Sequence, residues 1–181
     1  LISQHTQSQG LLSPKTIPFH ENFDGETVPA LPEGWSALDL NSDTHVWKTT
    51  NNSTYVKSSP NALVLSVSVY EAKNDWLFTP PIALQAGKGY KLSFQVRTNN
   101  YDEKLQIYLG NDATVEAMDE TPLLDLGIFR HTQYEEKETI FSVASDGNYT
   151  IAFYSNSARG ADNIYVDDFS LIELTEPDVA I

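Results

Sequence analysis

Apolar and polar residues alternate along much of this chain with the two-residue period of a half-buried β-strand. The clearest example is the segment 90–97, in which every second residue is apolar and the residues between are polar. The same spacing recurs in four other segments, at 63–69, 105–109, 149–153 and 164–172. Shorter candidate strands lie at 17–23, 46–50, 76–78 and 138–143.

Helical spacing is nearly absent, and only residues 113–118 favour one short helical turn. Turn-forming residues separate the apolar runs, for example Asp24-Gly25, Gly87-Lys88-Gly89 and Asp146-Gly147. Eight to ten strands divided by turns, with no strand–helix–strand spacing, predict an all-β fold. We therefore expect an antiparallel two-sheet β-sandwich.

Composition predicts one folded domain with a packed core, because 40% of the 181 residues are hydrophobic and 11% are aromatic. We expect an N-terminal linker at 1–16, the domain at 17–174, and a C-terminal linker at 175–181 that leads to a further domain. The chain begins without Met, and we interpret it as a piece of a larger parent protein whose neighbouring domains are among its partners.

The formal net charge is −14, with 25 acidic and 11 basic side chains. Such a charge repels nucleic acids and anionic membrane surfaces and attracts divalent cations. Membrane insertion is also not expected, because no apolar run approaches the ~18 residues that a spanning helix needs. The chain has no cysteine, which excludes disulfides, zinc–thiolate sites and thiol nucleophiles and favours a bacterial source.

Five motifs, in order along the chain, carry a family resemblance. They are Pro18-Phe19-His20-Glu21-Asn22-Phe23-Asp24-Gly25, Leu31-Pro32-Glu33-Gly34-Trp35, the group Asp39, Asn41 and Asp43 before Trp47, Asp75-Trp76-Leu77-Phe78-Thr79-Pro80, and Tyr165-Val166-Asp167-Asp168-Phe169-Ser170-Leu171. Together they span about residues 18–173 and resemble the cleaved-adhesin domains of Bacteroidetes surface proteins. Domains of this type occur in gingipain haemagglutinin regions and in choice-of-anchor modules.

The resemblance implies a jelly-roll β-sandwich related to MAM domains and carbohydrate-binding modules. It also implies structural calcium (Ca²⁺) and a non-catalytic adhesion or binding role in a secreted or cell-surface, outer-membrane-associated protein. Fold alone does not identify a ligand, and we expect either a glycan or an extracellular protein.

The first candidate metal site combines acids from the two ends of the chain. Strand alternation places Asp167 and Asp168 on opposite faces, so one of them lies among apolar neighbours and needs a cation or strong donors. In a jelly roll the first and last strands can be neighbours, which would bring Glu21 and Asp24 to this pair. Calcium prefers such oxygen ligands, whereas neutralisation by basic side chains or backbone N–H groups is the alternative.

Asp39, Asn41 and Asp43 form a second oxygen-rich group. The segment is not an EF-hand, because the sixth position is Thr44 and the twelfth is Thr50, where that motif requires Gly and Glu. The family pattern also places Gly after the last acid, and Thr44 departs from it. The alternatives are a second calcium site and a network of Asx turns.

Three tryptophans and several tyrosines are candidate contacts for a sugar. Trp35, Trp47 and Trp76 lie in or beside the family motifs, so we expect them to pack in the core. Four tyrosines lie in loops or at outward positions and are better candidates, namely Tyr55, Tyr70, Tyr101 and Tyr108. We assign ligand contact to Tyr101 and Tyr55.

No residue pattern indicates catalysis. The four histidines are scattered, and neither His20-Glu21 nor Glu135-Glu136 can direct both side chains to one substrate if they lie in strands. The predicted function is a non-enzymatic, calcium-containing adhesin-like module. The alternatives are a carbohydrate-binding module appended to a polysaccharide-degrading enzyme, an architectural spacer and, as the enzymatic alternative, a jelly-roll glycoside hydrolase.

Overall fold

The computed structural model of the protein describes residues 12–175, so the predicted linker residues 1–11 and 176–181 lie outside the described residues. The described chain contains twelve β-strands and one short 3₁₀ helix at Val115–Ala117, where one helical turn was predicted. The strands are β1 (Phe19–Glu21), β2 (Ser36–Asp39), β3 (Lys48–Thr50), β4 (Ala62–Leu65), β5 (Asp75–Phe78), β6 (Ile82–Leu84), β7 (Gly89–Arg97), β8 (Glu103–Gly110), β9 (Leu124–Phe129), β10 (Glu135–Ser142), β11 (Gly147–Ser155) and β12 (Ile164–Glu173).

These strands form two six-stranded antiparallel sheets. The first sheet has the order β10-β7-β12-β4-β3, with β1 also paired to β12. The second sheet has the order β2-β5-β11-β8-β9, with β6 also paired to β11. The predicted all-β, two-sheet sandwich is therefore confirmed. No helix among residues 12–175 is long and apolar enough to cross a bilayer.

Three strands were not predicted, and several predicted strands were too long, including 17–23, which is β1 at Phe19–Glu21, and 63–69. The missed strands β2, β6 and β9 are short or irregular, and β9 is interrupted by Gly127, which has a positive φ of 60°. The run predicted at 63–69 ends at Leu65. Beyond it, the N–H of Val67 bonds to the side chain of Asn163 (2.8 Å) and Val69 is 65% exposed, so the chain has left the sheet.

The core lies between the sheets and is rich in aromatic rings. Phe153 of the second sheet lies between Phe94 and Phe169 of the first sheet, with ring centroids 5.1 and 6.3 Å away. Trp35 and Trp47 are buried in this core, as predicted. Trp76 is also buried, but in a smaller aromatic cluster on the outer face of the second sheet.

The first and last strands are neighbours. Strand β1 pairs with β12 in the register Phe19–Leu171, His20–Ser170 and Glu21–Phe169. The pairing of the two ends of the domain, on which the first metal prediction depended, is therefore present.

Five loops meet at one end of the sandwich, which we call the loop end. Each connects the two sheets: 40–47, 66–74, 98–102, 130–134 and 156–163. Strand register places them together, because Asp75 is opposite both Asp39 and Ser155, and Glu103 is opposite Phe129.

A buried ion pair joins the loops of this end. The Lys73 Nζ lies 3.0 Å from a Glu103 carboxylate oxygen, and the two side chains are 2% and 0% exposed. The same ammonium donates to the Asp162 carbonyl, at 2.5 Å, and the N–H of Asp162 donates to Glu103. Burial raises the pKa of Glu103, and the Lys73 charge opposes that shift.

The loop 51–61 is attached to the first sheet through a buried acid. Asp167 is fully buried, and its carboxylate accepts the N–H groups of Lys57 (2.9 Å), Ser58 (3.0 Å) and Asp168 (2.8 Å). Burial raises the pKa of Asp167 to about 6, although these three donors oppose the shift. The carboxylate is therefore satisfied by backbone donors but still carries a desolvation cost.

Replacing Lys73 by Met should lower the free energy of unfolding by about 3–5 kcal/mol, because it leaves the Glu103 carboxylate buried without its cation. The control is Lys91→Met, since the Lys91–Glu138 pair is 32% and 55% exposed and its loss should cost at most about 1 kcal/mol. Urea unfolding followed by tryptophan fluorescence measures both changes. Equal losses for the two variants would contradict this description of the ion pair.

The buried Asp167 predicts a pH dependence in chelator-treated protein. Its carboxyl has a pKa of about 6 in the folded chain and an ordinary value of 3.8, so its contribution to stability falls as the pH rises from about 4 to 6. Asp167→Asn cannot ionise and should remove up to about 3 kcal/mol of this dependence. Urea unfolding at pH 4, 5, 6 and 7 measures the slope, with the exposed Asp102→Asn as the control. A slope unchanged in Asp167→Asn would refute the assignment.

Candidate functional site

Three carboxylates converge where β2 ends and β5 begins. One oxygen from each of Asp39, Asp43 and Asp75 lies within 4.8 Å of the other two. Asp39 and Asp75 are brought together because they are register partners in adjacent strands, and Asp43 returns to them through the turn that follows β2. This is the only group of three such ligands among residues 12–175.

Several oxygens at this site are buried and have no hydrogen-bond donor. They are Oδ1 of Asn41, Oδ2 of Asp43 and Oδ1 of Asp75. Asp75 is only 1% exposed. A buried polar atom without a partner carries its full desolvation cost, and a cation among these three oxygens would offset that cost.

The backbone of the 39–45 loop is shaped around Asp39. One oxygen of this carboxylate accepts the N–H groups of Asn41 (3.0 Å) and Ser42 (2.6 Å), and the other accepts that of Thr44 (3.0 Å). The amide group of Asn41 also donates to the carbonyl of Ala72 (2.6 Å), which joins the loop to the chain before β5. The predicted Asx-turn network is thus present around Asp39, but it leaves the three oxygens described above unsatisfied.

Thr44 stands where the family pattern places glycine, and its backbone conformation is one that glycine favours. Its φ is 69°, in the left-handed region that glycine adopts without a steric cost. The backbone therefore has the conformation for which the family pattern places glycine, although the residue is β-branched. Ser42 is also left-handed, with a φ of 59°. The cost of such residues is on the order of 1–3 kcal/mol each.

The electrostatics of the site favour a cation. Burial raises the pKa of Asp75 to about 6, and the charges of Asp43 and Asp39 add to the shift. The N–H of Asn74 and the charge of Lys73 oppose it, but not enough to restore the ordinary value of 3.8. A positive charge among these three acids would offset their mutual repulsion.

The geometry fits calcium. Calcium–oxygen distances are about 2.3–2.6 Å, so oxygens on opposite sides of the ion lie about 4.6–5.2 Å apart. The three carboxylate oxygens lie within 4.8 Å of one another, which is close enough for one such ion to contact all three. Asp39, Asn41, Asp43 and Asp75 are the residues that would hold the ion.

The other predicted ligand set is not formed as one cluster. Although β1 and β12 are paired, the acids Glu21, Asp24, Asp167 and Asp168 do not bring three ligand oxygens within 4.8 Å of one another. The reason is that each bonds locally or to a loop. Asp24 accepts the N–H of Asn61 (2.9 Å), Glu21 that of Phe23 (2.8 Å), and Asp168 the hydroxyl of Ser58 (2.9 Å).

A cleft of about 420 Å³ lies beside these chain-end acids, lined by His20, Glu21, Asn22, Asp168, Phe169 and Ser170. Burial raises the pKa of Glu21. Asp168 has a φ of 49° at an irregularity in the pairing of β12 with β7. The cleft contains only two of the four predicted ligands.

The two predicted ligand-contact tyrosines have different environments. The ring of Tyr55 stacks on Tyr165 at a centroid distance of 4.6 Å. The Arg97 guanidinium lies over the Tyr55 ring, 5.0 Å from its centroid. Tyr55 therefore packs the 51–61 loop against the first sheet. Tyr101, in contrast, is 59% exposed at the loop end.

Sequence reasoning did not include Asp75 among the candidate ligands. It stands outside the 39–43 segment, and only the strand register makes it a neighbour of Asp39. One signal was available, because Asp75 has the same parity as the core residue Leu77 and is thus an acid on an inward face.

No family model and no curated protein matches the sequence. The fold, however, is similar to that of several solved structures. The K1 cleaved adhesin domain of Lys-gingipain from Porphyromonas gingivalis W83 superposes with a TM-score of 0.66 at 18% identity, over 85% of this chain and 96% of that domain.

Carbohydrate-binding modules have the same architecture. The CBM22-1 xylan-binding domain of Paenibacillus barcinonensis Xyn10C gives a TM-score of 0.61 at 9% identity, over 91% of this chain and 99% of that domain. TmCBM61, solved with β-1,4-galactotriose, gives 0.54 at 16% identity, over 78% of this chain and 90% of that one. The chain therefore has the jelly-roll fold of adhesin and carbohydrate-binding domains, as its sequence motifs predicted.

Proposed function

We propose that this chain is a non-catalytic binding module of a larger secreted or cell-surface protein, that it holds a structural calcium ion, and that it binds a glycan. The convergence of buried, partnerless oxygens on the Asp39–Asp43–Asp75 cluster carries the calcium part. The fold shared with an adhesin domain and two carbohydrate-binding modules supports the binding part.

The role proposed for calcium is mechanical. The ion would join the turn after β2 to the first residue of β5, and so hold one edge of the second sheet and one loop of the loop end. Because unfolded chains do not hold these ligands together, binding of the ion would add to the free energy of unfolding. Asp39 and Asn41 already have backbone and side-chain bonds that orient them.

A glycan is the favoured ligand class because the chain offers exposed tyrosine rings and amide side chains on a rigid sandwich, and a sugar presents both a C–H face and hydroxyl groups. An extracellular protein is the second candidate. It is favoured by the presence of aliphatic side chains among the exposed residues of the loop end, for example Leu40 at 48% and Val69 at 65% exposed.

Calcium should raise the melting temperature of chelator-treated protein, with a gain in unfolding free energy of about 2.7 kcal/mol at a hundredfold excess over Kd. Asp75→Asn removes one of the three carboxylates and should abolish most of this gain. Asp112→Asn, at an exposed position away from the cluster, is the matched control. Differential scanning fluorimetry with EDTA and with graded CaCl₂ measures all three proteins.

Two results would count against this calcium site. A melting temperature of the unmodified chain that does not respond to EDTA or CaCl₂ would exclude a structural ion. A calcium response that persists in Asp75→Asn but disappears in Asp168→Asn would instead place the ion with the chain-end acids.

The unmodified chain should bind at least one neutral oligosaccharide with a Kd of about 1 mM or tighter, and should leave it uncleaved. Isothermal titration calorimetry against a defined set, including xylohexaose and β-1,4-galactotriose, measures binding. Chromatography of the sugars after long incubation measures cleavage. Cleavage products would refute the non-catalytic assignment, and an absence of binding across a broad glycan array would refute the glycan ligand.

A further inference from the structure

Exposed apolar side chains are concentrated at the loop end. Among residues 12–175, eight large hydrophobic side chains are exposed, and six of them belong to the loop end or to the strand ends beside it. These six are Leu38, Leu40, Val69, Tyr70, Tyr101 and Ile128. Single exposed apolar residues are ordinary, but their concentration at one end of a domain indicates a binding surface.

Tyr70 and Tyr101 are the most available aromatic rings at this end, at 80% and 59% exposed. Each lies in a different loop of the loop end, at 66–74 and 98–102. The other aromatic side chains described above pack on neighbouring rings, as Tyr55 does on Tyr165. Tyr70 and Tyr101 therefore do not serve the packing of the fold in the way that these other rings do.

Both loops are attached to the same short segment, 160–163. In the first loop, the carbonyl of Ser68 accepts the N–H of Gly160 (2.9 Å) and the N–H of Val67 bonds to Asn163. In the second loop, the Asp162 carboxylate accepts the side-chain amide of Asn99 (3.0 Å). The two tyrosine-bearing loops are thus both bonded to one anchor segment.

Asp162 also fixes the second loop through its backbone, since its carboxylate accepts the N–H of Asn100 at 2.9 Å. Beneath it, the buried pair of Lys73 and Glu103 bonds to the backbone of Asp162 and ties the end of the first loop to the start of β8. A surface whose loops are ordered before binding loses less conformational entropy when a ligand arrives.

The polar residues beside the rings suit a ligand rich in hydroxyl groups. Asn100 in the loop 98–102, and Asn156 and Arg159 in the loop 156–163, are exposed and offer N–H donors and amide acceptors. The net charge of −14 opposes polyanionic glycans and a second copy of this chain. Electrostatics therefore leave an uncharged sugar chain as the favoured ligand.

We infer that Tyr70 and Tyr101 together form the contact surface for a neutral glycan at the loop end, held in position by Asp162 and the segment around it. This inference rests on the proposed glycan-binding function and specifies where on the domain that binding occurs. Each ring would contact the C–H face of a sugar unit, and the neighbouring Asn and Arg side chains would bond to its hydroxyl groups.

The test uses the full chain and the neutral oligosaccharide that binds best to it in the titrations. Tyr70→Ala and Tyr101→Ala should each weaken binding about tenfold, the equivalent of one lost aromatic contact. Tyr70→Phe and Tyr101→Phe keep the ring and should change the Kd less than threefold. Ile140→Ala, 58% exposed on β10 away from the loop end, is the control and should not change it.

Melting temperatures of all variants show whether folding is preserved, as expected for side chains this exposed. If the unmodified chain binds a glycan and both alanine variants bind equally well, the loop-end assignment is wrong while the proposed function stands. If the unmodified chain binds no glycan, the ligand class itself is wrong. An extracellular protein would then be the remaining candidate ligand for the exposed loop-end residues.

Discussion

A carboxylate inside a protein requires a cation or several N–H donors, and the loops of this β-sandwich are arranged around that requirement. Glu103 is paired with the ammonium of Lys73, and Asp167 is surrounded by three backbone N–H groups. Asp75 is as buried as these two, but one of its oxygens has no donor. The difference between Asp75 and the other two acids is the physical basis of the calcium proposal.

The same requirement distinguishes the loop end from the rest of the sandwich. Lys73 and Asp75 are two residues apart in the chain, and both lie at the loop end, where the ion pair and the proposed ion stabilise adjacent parts of one surface. Exposed Tyr70 precedes them by a few residues.

Much of the fold was predictable because long strands with one buried face leave a two-residue period, as in β7 and β12. The short strands β2, β6 and β9 leave too few residues for that period to be visible. The pairing of the first and last strands followed from the family resemblance, and the structure contains it. The four acids inferred from that pairing do not form a group of three within 4.8 Å, and loops supply donors to Asp24 and Asp168 that no local pattern could reveal.

The candidate site was predictable only in part. Asp39, Asn41 and Asp43 stand close together in the chain, so their spacing was visible, whereas Asp75 joins them only through the register of β2 with β5. The buried Lys73 was also invisible to sequence reasoning, since a lysine beside polar residues is ordinarily solvent-exposed. Long-range register and burial are properties of the assembled sheets, and a single sequence does not specify them locally.

The left-handed backbone of Thr44 has a consequence for how the loop end responds to its surroundings. A glycine there would let the turn keep its shape at little cost, but a β-branched residue holds that shape only while other interactions compensate it. If calcium supplies the compensation, the order of this turn becomes conditional on the ion concentration. This edge of the second sheet would then be rigid where calcium is abundant and looser where calcium is scarce.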